Sequence, residues 1–298
     1  MMESKCPICS IPGSPFLQAN DYNRRISEKV FSYHRCPSCG LIYLVNVPED
    51  LGKYYPASYY AIPKDRESLL ENSAQEQYKL EIVQQFINKG RLLEIGPAWG
   101  TFACLAKQSG FDVDVIEMDT KCCDFIQNKL GIKAIQSNNI VATLEGFSGY
   151  DVITLWQVVE HLSDPCETLK TAAEKLLPGG ILVVSTPNPE AFQFKIMGAR
   201  WPHVDAPRHL NLIPKEVLVD FLKRYDLELI METTDDQGGR SWNKFGWQRR
   251  LMNCFSGKWM QRVSFVLGYC LSFPMSLWDR IESKGCAYTV IFQKKVIR

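Results

Sequence analysis

The chain has 298 residues, 46% of them hydrophobic, with 34 basic side chains against 33 acidic ones and a formal net charge of +1. That length fits one sizeable domain plus a small appended module, and the balanced charge gives no reason to expect a polyanion partner. The polar start, MMESK, has no hydrophobic signal core, and neither internal repeats nor low-complexity tracts are present.

The first motifs are CPIC at 6 to 9 and CPSCG at 36 to 40. Each C-x-x-C hairpin presents two thiolates to one side, and two hairpins complete a tetrahedron of soft ligands. Cys6, Cys9, Cys36 and Cys39 are therefore the expected ligands of one zinc ion in a module spanning 1–48. Four cysteines leave no coordination position for water or substrate, which makes the metal structural. The other seven cysteines, at 104, 122, 123, 166, 254, 270 and 286, lack metal spacing and read as buried thiols. An odd remainder beside a zinc-type framework argues for a reducing, cytoplasmic setting. Residues 1–50 hold five basic and five acidic side chains, so the module has no basic excess for nucleic acid.

A linker at 49–90 precedes the main domain, 91–298. Its LGKYYPASYYAIP stretch carries Tyr54, Tyr55, Tyr59 and Tyr60, placed either to pack on the domain junction or to close as a lid over bound ligands. ESLLENSAQEQYKLEIVQQFI, 67–87, has helical apolar spacing and reads as a covering helix.

Positions 92–117, LLEIGPAWGTFACLAKQSGFDVDVIE, read as a strand, a tight glycine turn, an amphipathic helix and a second strand ending on Glu117. Gly96 and Gly100 supply the turn, and Glu117 stands where a carboxylate chelates a ribose diol, the pattern of a nucleotide-cofactor site. A dinucleotide would need the middle glycine of G-x-G-x-x-G against its pyrophosphate. Here Ala98 lies between glycines spaced G-x-x-x-G, which suits a ligand without phosphates. GIKAIQSNN at 131–139, YDVITLWQVVEHLSDP at 150–165 and LLPGGILVVSTPN at 176–188 continue the alternation of strand and helix, and CAYTVIFQKK at 286–295 supplies a last strand. That order argues an α/β, doubly wound sheet with ligands at the carboxyl ends of its strands.

The loop 190–214 follows the fifth strand and overhangs those ends. It offers His203, Asp205 and His209, with His209 the expected general base and Asp205 its orienter, unless the histidines only brace the loop. His161, in VVEHLSDP, is a further candidate. The insertion 237–284 contains, between 237 and 278, six cations, no Asp or Glu, and nine aromatic residues. Its uncharged run 263–278 is short for a transmembrane span and is broken by Pro274, so an interfacial or packed helical pair is expected.

Residues 94–100 resemble the first motif of class I S-adenosylmethionine (SAM) methyltransferases, E/D-x-G-x-G-x-G, departing only at Ala98. The resemblance runs from about 90 to 235 and returns at 286–295. It implies a Rossmann-like seven-stranded sheet with an antiparallel last strand, here preceded by a zinc-ribbon module and interrupted by a helical insertion. It also implies a SAM pocket made by Glu94, Gly96, Ala98, Gly100, Phe102, Glu117, Met118, Asn138, Trp156 and Gln157. In some family members a tyrosine-bearing segment before the first strand closes this pocket. The four-cysteine module, tyrosine-rich linker and SAM domain together resemble bacterial methyltransferases of sugar and surface-polysaccharide pathways. The chain lacks the further C-terminal domain and the His-Glu-His signature of the sugar C-methylating members, so the resemblance implies O-methylation of a sugar or lipid-linked glycan. Competing readings are an RNA base methyltransferase, a quinone or small-molecule O-methyltransferase, and a non-catalytic zinc-dependent interaction protein. Expected partners are a small-molecule or glycan acceptor, the inner membrane face through 237–278, and a second copy of the chain.

Overall fold

The computed structural model describes residues 5–56, 59–281 and 283–296. Three short strands open the chain: β1 (Ser14–Ala19), β2 (Phe31–Arg35) and β3 (Ile42–Leu44). Two helices follow, α1 (Arg66–Glu71), started by an Asp65 to Ser68 capping box, and α2 (Gln77–Gln84). The covering helix expected over 67–87 is thus two helices joined by a 3-10 turn at Ser73–Gln75.

The main domain alternates β4 (Gly90–Ile95), α3 (Thr101–Gln108), β5 (Phe111–Glu117), α4 (Thr120–Phe125), β6 (Lys133–Gln136), α5 (Ile140–Glu145), β7 (Tyr150–Trp156), α6 (Pro165–Lys175) and β8 (Leu176–Pro187). After α7 (Phe192–Met197) come β9 (Asn211–Leu212), α8 (Lys215–Leu222), β10 (Leu227–Thr233), α9 (Gln237–Met252), α10 (Lys258–Asp279) and β11 (Ala287–Lys294). Seven strands form one sheet in the order β10-β11-β8-β7-β4-β5-β6, with β4 to β8 parallel and β11 antiparallel to β8. Buried on both faces, the central strands are near-continuous apolar runs, and their alternate side chains feed two cores. Leu93, Ile95, Ile153 and Leu155 enter one, and Leu92, Val113, Val115 and Val152 the other.

The cysteine module is continuous with the acceptor-side loop. β3 pairs with β9, placing Ile42 opposite Leu212, so one small sheet, β1-β2-β3-β9, draws strands from both. A third core with Phe31, Tyr33, Tyr54, Trp201 and Val204 fills the space between. A second correction concerns Pro274, which lies inside α10 rather than ending it. Proline removes the bond to the carbonyl of Cys270, and both residues are on the exposed side of the helix. Cys254 and Cys270 are exposed, not buried thiols, because the α9–α10 hairpin stands out from the sheet with one side uncovered.

Candidate active site

Glu117 ends β5 at the carboxyl edge of the sheet. Its Oε1 accepts hydrogen bonds from the Met118 and Asp119 N–H groups at 2.8 and 2.9 Å, and its Oε2 from Ala98 N–H at 3.0 Å. The glycine turn is thus tied to the strand end, and Oε2 keeps a lone pair for an incoming hydroxyl. Ala98 holds φ +53°, a left-handed conformation in which L side chains are disfavoured, where the resembled motif has glycine. At Gly96, φ +69°, an added Cβ would stand 2.6 Å from Val158 Cγ2, a cavity-lining atom group.

These groups open on a cavity of about 290 Å³ at the strand ends. Gly96, Glu117 and Met118 form one side, Ser137, Asn138 and Ile140 a second, and Gln157, Val158 and His161 a third. Tyr55, Tyr59 and Tyr60 cover it as a packed aromatic row with ring centroids 4.9 and 5.0 Å apart. Tyr54 turns the other way, edge-on to Phe31 in the core of the small sheet. The linker thus places three tyrosines against the cavity and one at the junction. Arg24, from the β1–β2 loop, stacks 4.1 Å over Tyr59.

Glu94, Phe102 and Trp156, expected at the cofactor, lie below this cavity. Phe102 and Trp156 are buried edge-to-face at 5.7 Å, and Glu94 is buried with Oε2 unpartnered among the described residues, its carboxyl pushed up to about 8 by burial. Trp156 instead lines a second cavity of about 270 Å³ with Tyr78, Lys79, Trp242 and Phe245, separated from the first by Gln157, which donates to Ser185 Oγ at 3.1 Å.

The acceptor-side histidines separate. His161 reaches the cavity wall; its Nδ1 is 3.0 Å from the Arg208 carbonyl oxygen and 3.1 Å from the Tyr55 hydroxyl. A carbonyl only accepts, which assigns the proton to Nδ1 and leaves Nε2 as the basic nitrogen. His209 packs edge-on behind it, ring centroids 4.6 Å apart, with its own Nδ1 donating to the His203 carbonyl at 2.8 Å. Burial holds His161 below its ordinary range and, with the His161 charge, brings His209 down to about 3, so both rings are neutral bases near pH 7. His203 sits apart among Trp201, Trp242 and Phe245, lowered to about 4 by burial. Asp205 binds Arg208 and Asn23 rather than His209.

Sequence reasoning passed over Glu160. It is fully buried, accepts from Thr186 Oγ1 at 2.9 Å, and leaves Oε1 unpartnered among the described residues; burial pushes its carboxyl up to about 8. One of its oxygens and one nitrogen from each of His161 and His209 lie within 4.8 Å of one another, a spacing that a proton relay or a cation can use. The signal available was a carboxylate beside a histidine inside an otherwise apolar stretch.

The sulfur atoms of Cys6, Cys9, Cys36 and Cys39 also converge, with contacts of 3.2, 3.7 and 3.8 Å. Zn–S bonds of about 2.3 Å require tetrahedron edges of about 3.8 Å, so the four thiolates fit that ion.

The model of the methyltransferase domain family matches residues 69–232. A ubiquinone biosynthesis O-methyltransferase of Cereibacter sphaeroides is 28% identical over 168 residues, covering 53% of this chain and 66% of that protein. One from Caulobacter sp. is 31% identical over 105 residues, covering 33% and 41%. The chain thus spans less than two thirds of the length of the curated relatives it matches. Among solved structures, a SAM-dependent methyltransferase from Archaeoglobus fulgidus superposes with a TM-score of 0.50 at 16% identity, covering 77% of this chain and 100% of that one. A geranyl diphosphate C-methyltransferase from Streptomyces coelicolor gives 0.51 at 13%, covering 77% and 83%. These superpositions share the seven-stranded fold.

Proposed function

The chain belongs to the methyltransferase domain family, matched over more than half its length, and we propose that it is a SAM-dependent methyltransferase acting on a hydroxyl oxygen of a small ring acceptor. The observation that carries the choice of oxygen is His161, a neutral imidazole in the cavity wall with its Nδ1 proton anchored on a backbone carbonyl. Glu117 would hold the ribose hydroxyls, and Ser137, Asn138, Met118 and Ile140, which line the same cavity, would surround the adenine. SAM, when bound, supplies an electrophilic methyl group on a sulfonium. His161 Nε2 would take the proton of the acceptor's hydroxyl, with His209 and Glu160 beside that ring, and the sulfur would leave as a neutral thioether with the electrons of its methyl bond. The tyrosine row keeps water from the reacting groups.

The names of the similar proteins and the aromatic and aliphatic walls support a phenolic or quinol ring as acceptor over the sugar or lipid-linked glycan expected from the cysteine module and linker. The four cysteines hold one structural zinc, which fixes the loop carrying Asp21, Asn23 and Arg24 against the cavity cover. Incubation with methyl-labelled SAM and separate pools of catechols and quinols, nucleotide sugars, lipid-linked glycans and RNA tests the assignment. Label is expected on phenolic oxygen. Incorporation confined to glycan restores the glycan acceptor, and incorporation into RNA alone refutes O-methylation of a small acceptor.

A further inference from the structure

Helix α10 is built inside out. Its small positions Ser264, Gly268 and Ser272 are the buried ones, and Gly268 sits so close to α9 that an added Cβ would come within 2.5 Å of the Gln248 Cα. Large apolar side chains point outward instead: Trp259, Val266, Phe273 and Leu277, at helical spacing on one side, are 72%, 59%, 57% and 75% exposed. Single exposed apolar residues are ordinary, but this stripe runs along a 22-residue helix about 33 Å long. On another side of the hairpin, a groove of about 560 Å³ beside α7 is lined by Ile196, Met197, Leu251 and Leu271 together with Arg200 and Arg250.

Charge selects the occupant. From 237 to 278 there is no Asp or Glu, and the Asp279 that follows is buried, accepting from Trp247 and Gln193. Lys258 and Arg262 are exposed beside Trp259 and form no ion pair among the described residues. A second copy laid on this face would desolvate those cations without offering an acid from its own hairpin. A bilayer of anionic lipid offers phosphates at the level of the cations and acyl chains below them, with Trp259 at the boundary between the two.

We propose that the α9–α10 hairpin docks on the surface of an anionic bilayer, α10 lying along it with the outward stripe among the acyl chains and Lys258 and Arg262 on lipid phosphates. The contact is with the surface: no helix among the described residues is long and apolar enough to cross a membrane. The inference is independent of which acceptor the cavity takes.

Flotation of the full chain with vesicles of phosphatidylcholine alone, or of phosphatidylcholine with phosphatidylglycerol, tests it. The protein should float with the anionic vesicles at low salt and be released as salt is raised. Lys258→Glu with Arg262→Glu should weaken that binding at least about tenfold, and Phe273→Asp with Leu277→Asp should abolish it. All four positions are exposed, so SAM affinity should be unchanged in both variants, which checks that they fold. Failure of the wild type to float at low salt, equal binding to neutral vesicles, or either folded double variant floating like the wild type would overturn the proposal. A lipid-free dimer dissociated by Phe273→Asp would assign the face to a second copy instead.

Discussion

Replacing Arg208 with Met should cost about 3 kcal/mol of folding stability, because it breaks the buried ion network that joins the cysteine module to the cavity. Arg208 is completely buried; its Nη2 donates to Asp21 at 2.7 Å and to Asp205 at 2.8 Å, and its Nε donates to Asp205 at 2.8 Å. Removing one partner of a buried pair costs about 3–5 kcal/mol, since the remaining charge stays desolvated. Here two carboxylates are orphaned, but each keeps other donors: Asp21 the N–H groups of Arg24 and Ile26 at 3.2 and 2.9 Å, and Asp205 the Asn23 amide at 2.5 Å. The lower end of the range follows. Urea denaturation at neutral pH measures it, and adding Asp205→Asn should recover at least about 1 kcal/mol by removing one orphaned charge. Burial pushes the Asp205 carboxyl up, but the Arg208 hydrogen bonds and the His209 and Arg208 charges hold it well below the usual range. Its stabilisation is therefore present above the unfolded value of about 4 and lost as pH falls through the lowered folded value; in Arg208→Met burial acts on the orphaned carboxylate without that compensation, so the stability gap between variant and wild type should narrow as pH falls. A loss below about 1 kcal/mol, the scale of a surface pair, would refute the reasoning.

His161→Gln should lower turnover about 100-fold or more while leaving SAM affinity within about twofold; an unchanged turnover with phenolic acceptor would remove His161 from the chemistry. Glu94 and Glu160, both raised to about 8 by burial, are protonated in the folded state, so their contribution is full below the unfolded carboxyl value and is lost as pH rises toward 8. Unfolded histidines still titrate near 6.5 but do so equally in both proteins, so between about pH 6.5 and 8 Glu160→Gln should lose less stability than the wild type, as thermal melts at the two ends would show. Metal analysis should find one zinc per chain, lost in Cys36→Ser with Cys39→Ser, and chelation should weaken SAM binding because Arg24 then no longer backs Tyr59; full zinc retention in the double variant would refute the cysteine assignment.

Much of the sheet was legible because its strands are buried on both faces and must be apolar throughout. Leu92 to Glu117 carries strand, turn, helix and strand in an order that local physics alone dictates, and β5 ends on Glu117 as read. Contacts made by one or two residues left no pattern. β9 is only Asn211–Leu212, too short for any periodicity, yet it joins the cysteine module to the loop. Asp21 and Arg208 meet across 187 positions, and nothing local marks either as a partner. Orientation was equally hidden: Phe102 follows the glycine turn and Trp156 ends β7, but their rings pack against each other below the cavity. Pro274 misled because its usual effect as a breaker assumes that the carbonyl it frees has no other partner, and on the exposed side of α10 that restriction does not apply.

Calorimetric titration of SAM into the wild type and into Glu117→Ala bears most directly on the cofactor site. The wild type should bind SAM in preference to NADH, and the variant should bind it more than tenfold less tightly, the loss of about 2 kcal/mol expected for a charge-assisted contact to the ribose. Equal SAM affinity in the two proteins, or tighter binding of NADH than of SAM, would contradict the assignment.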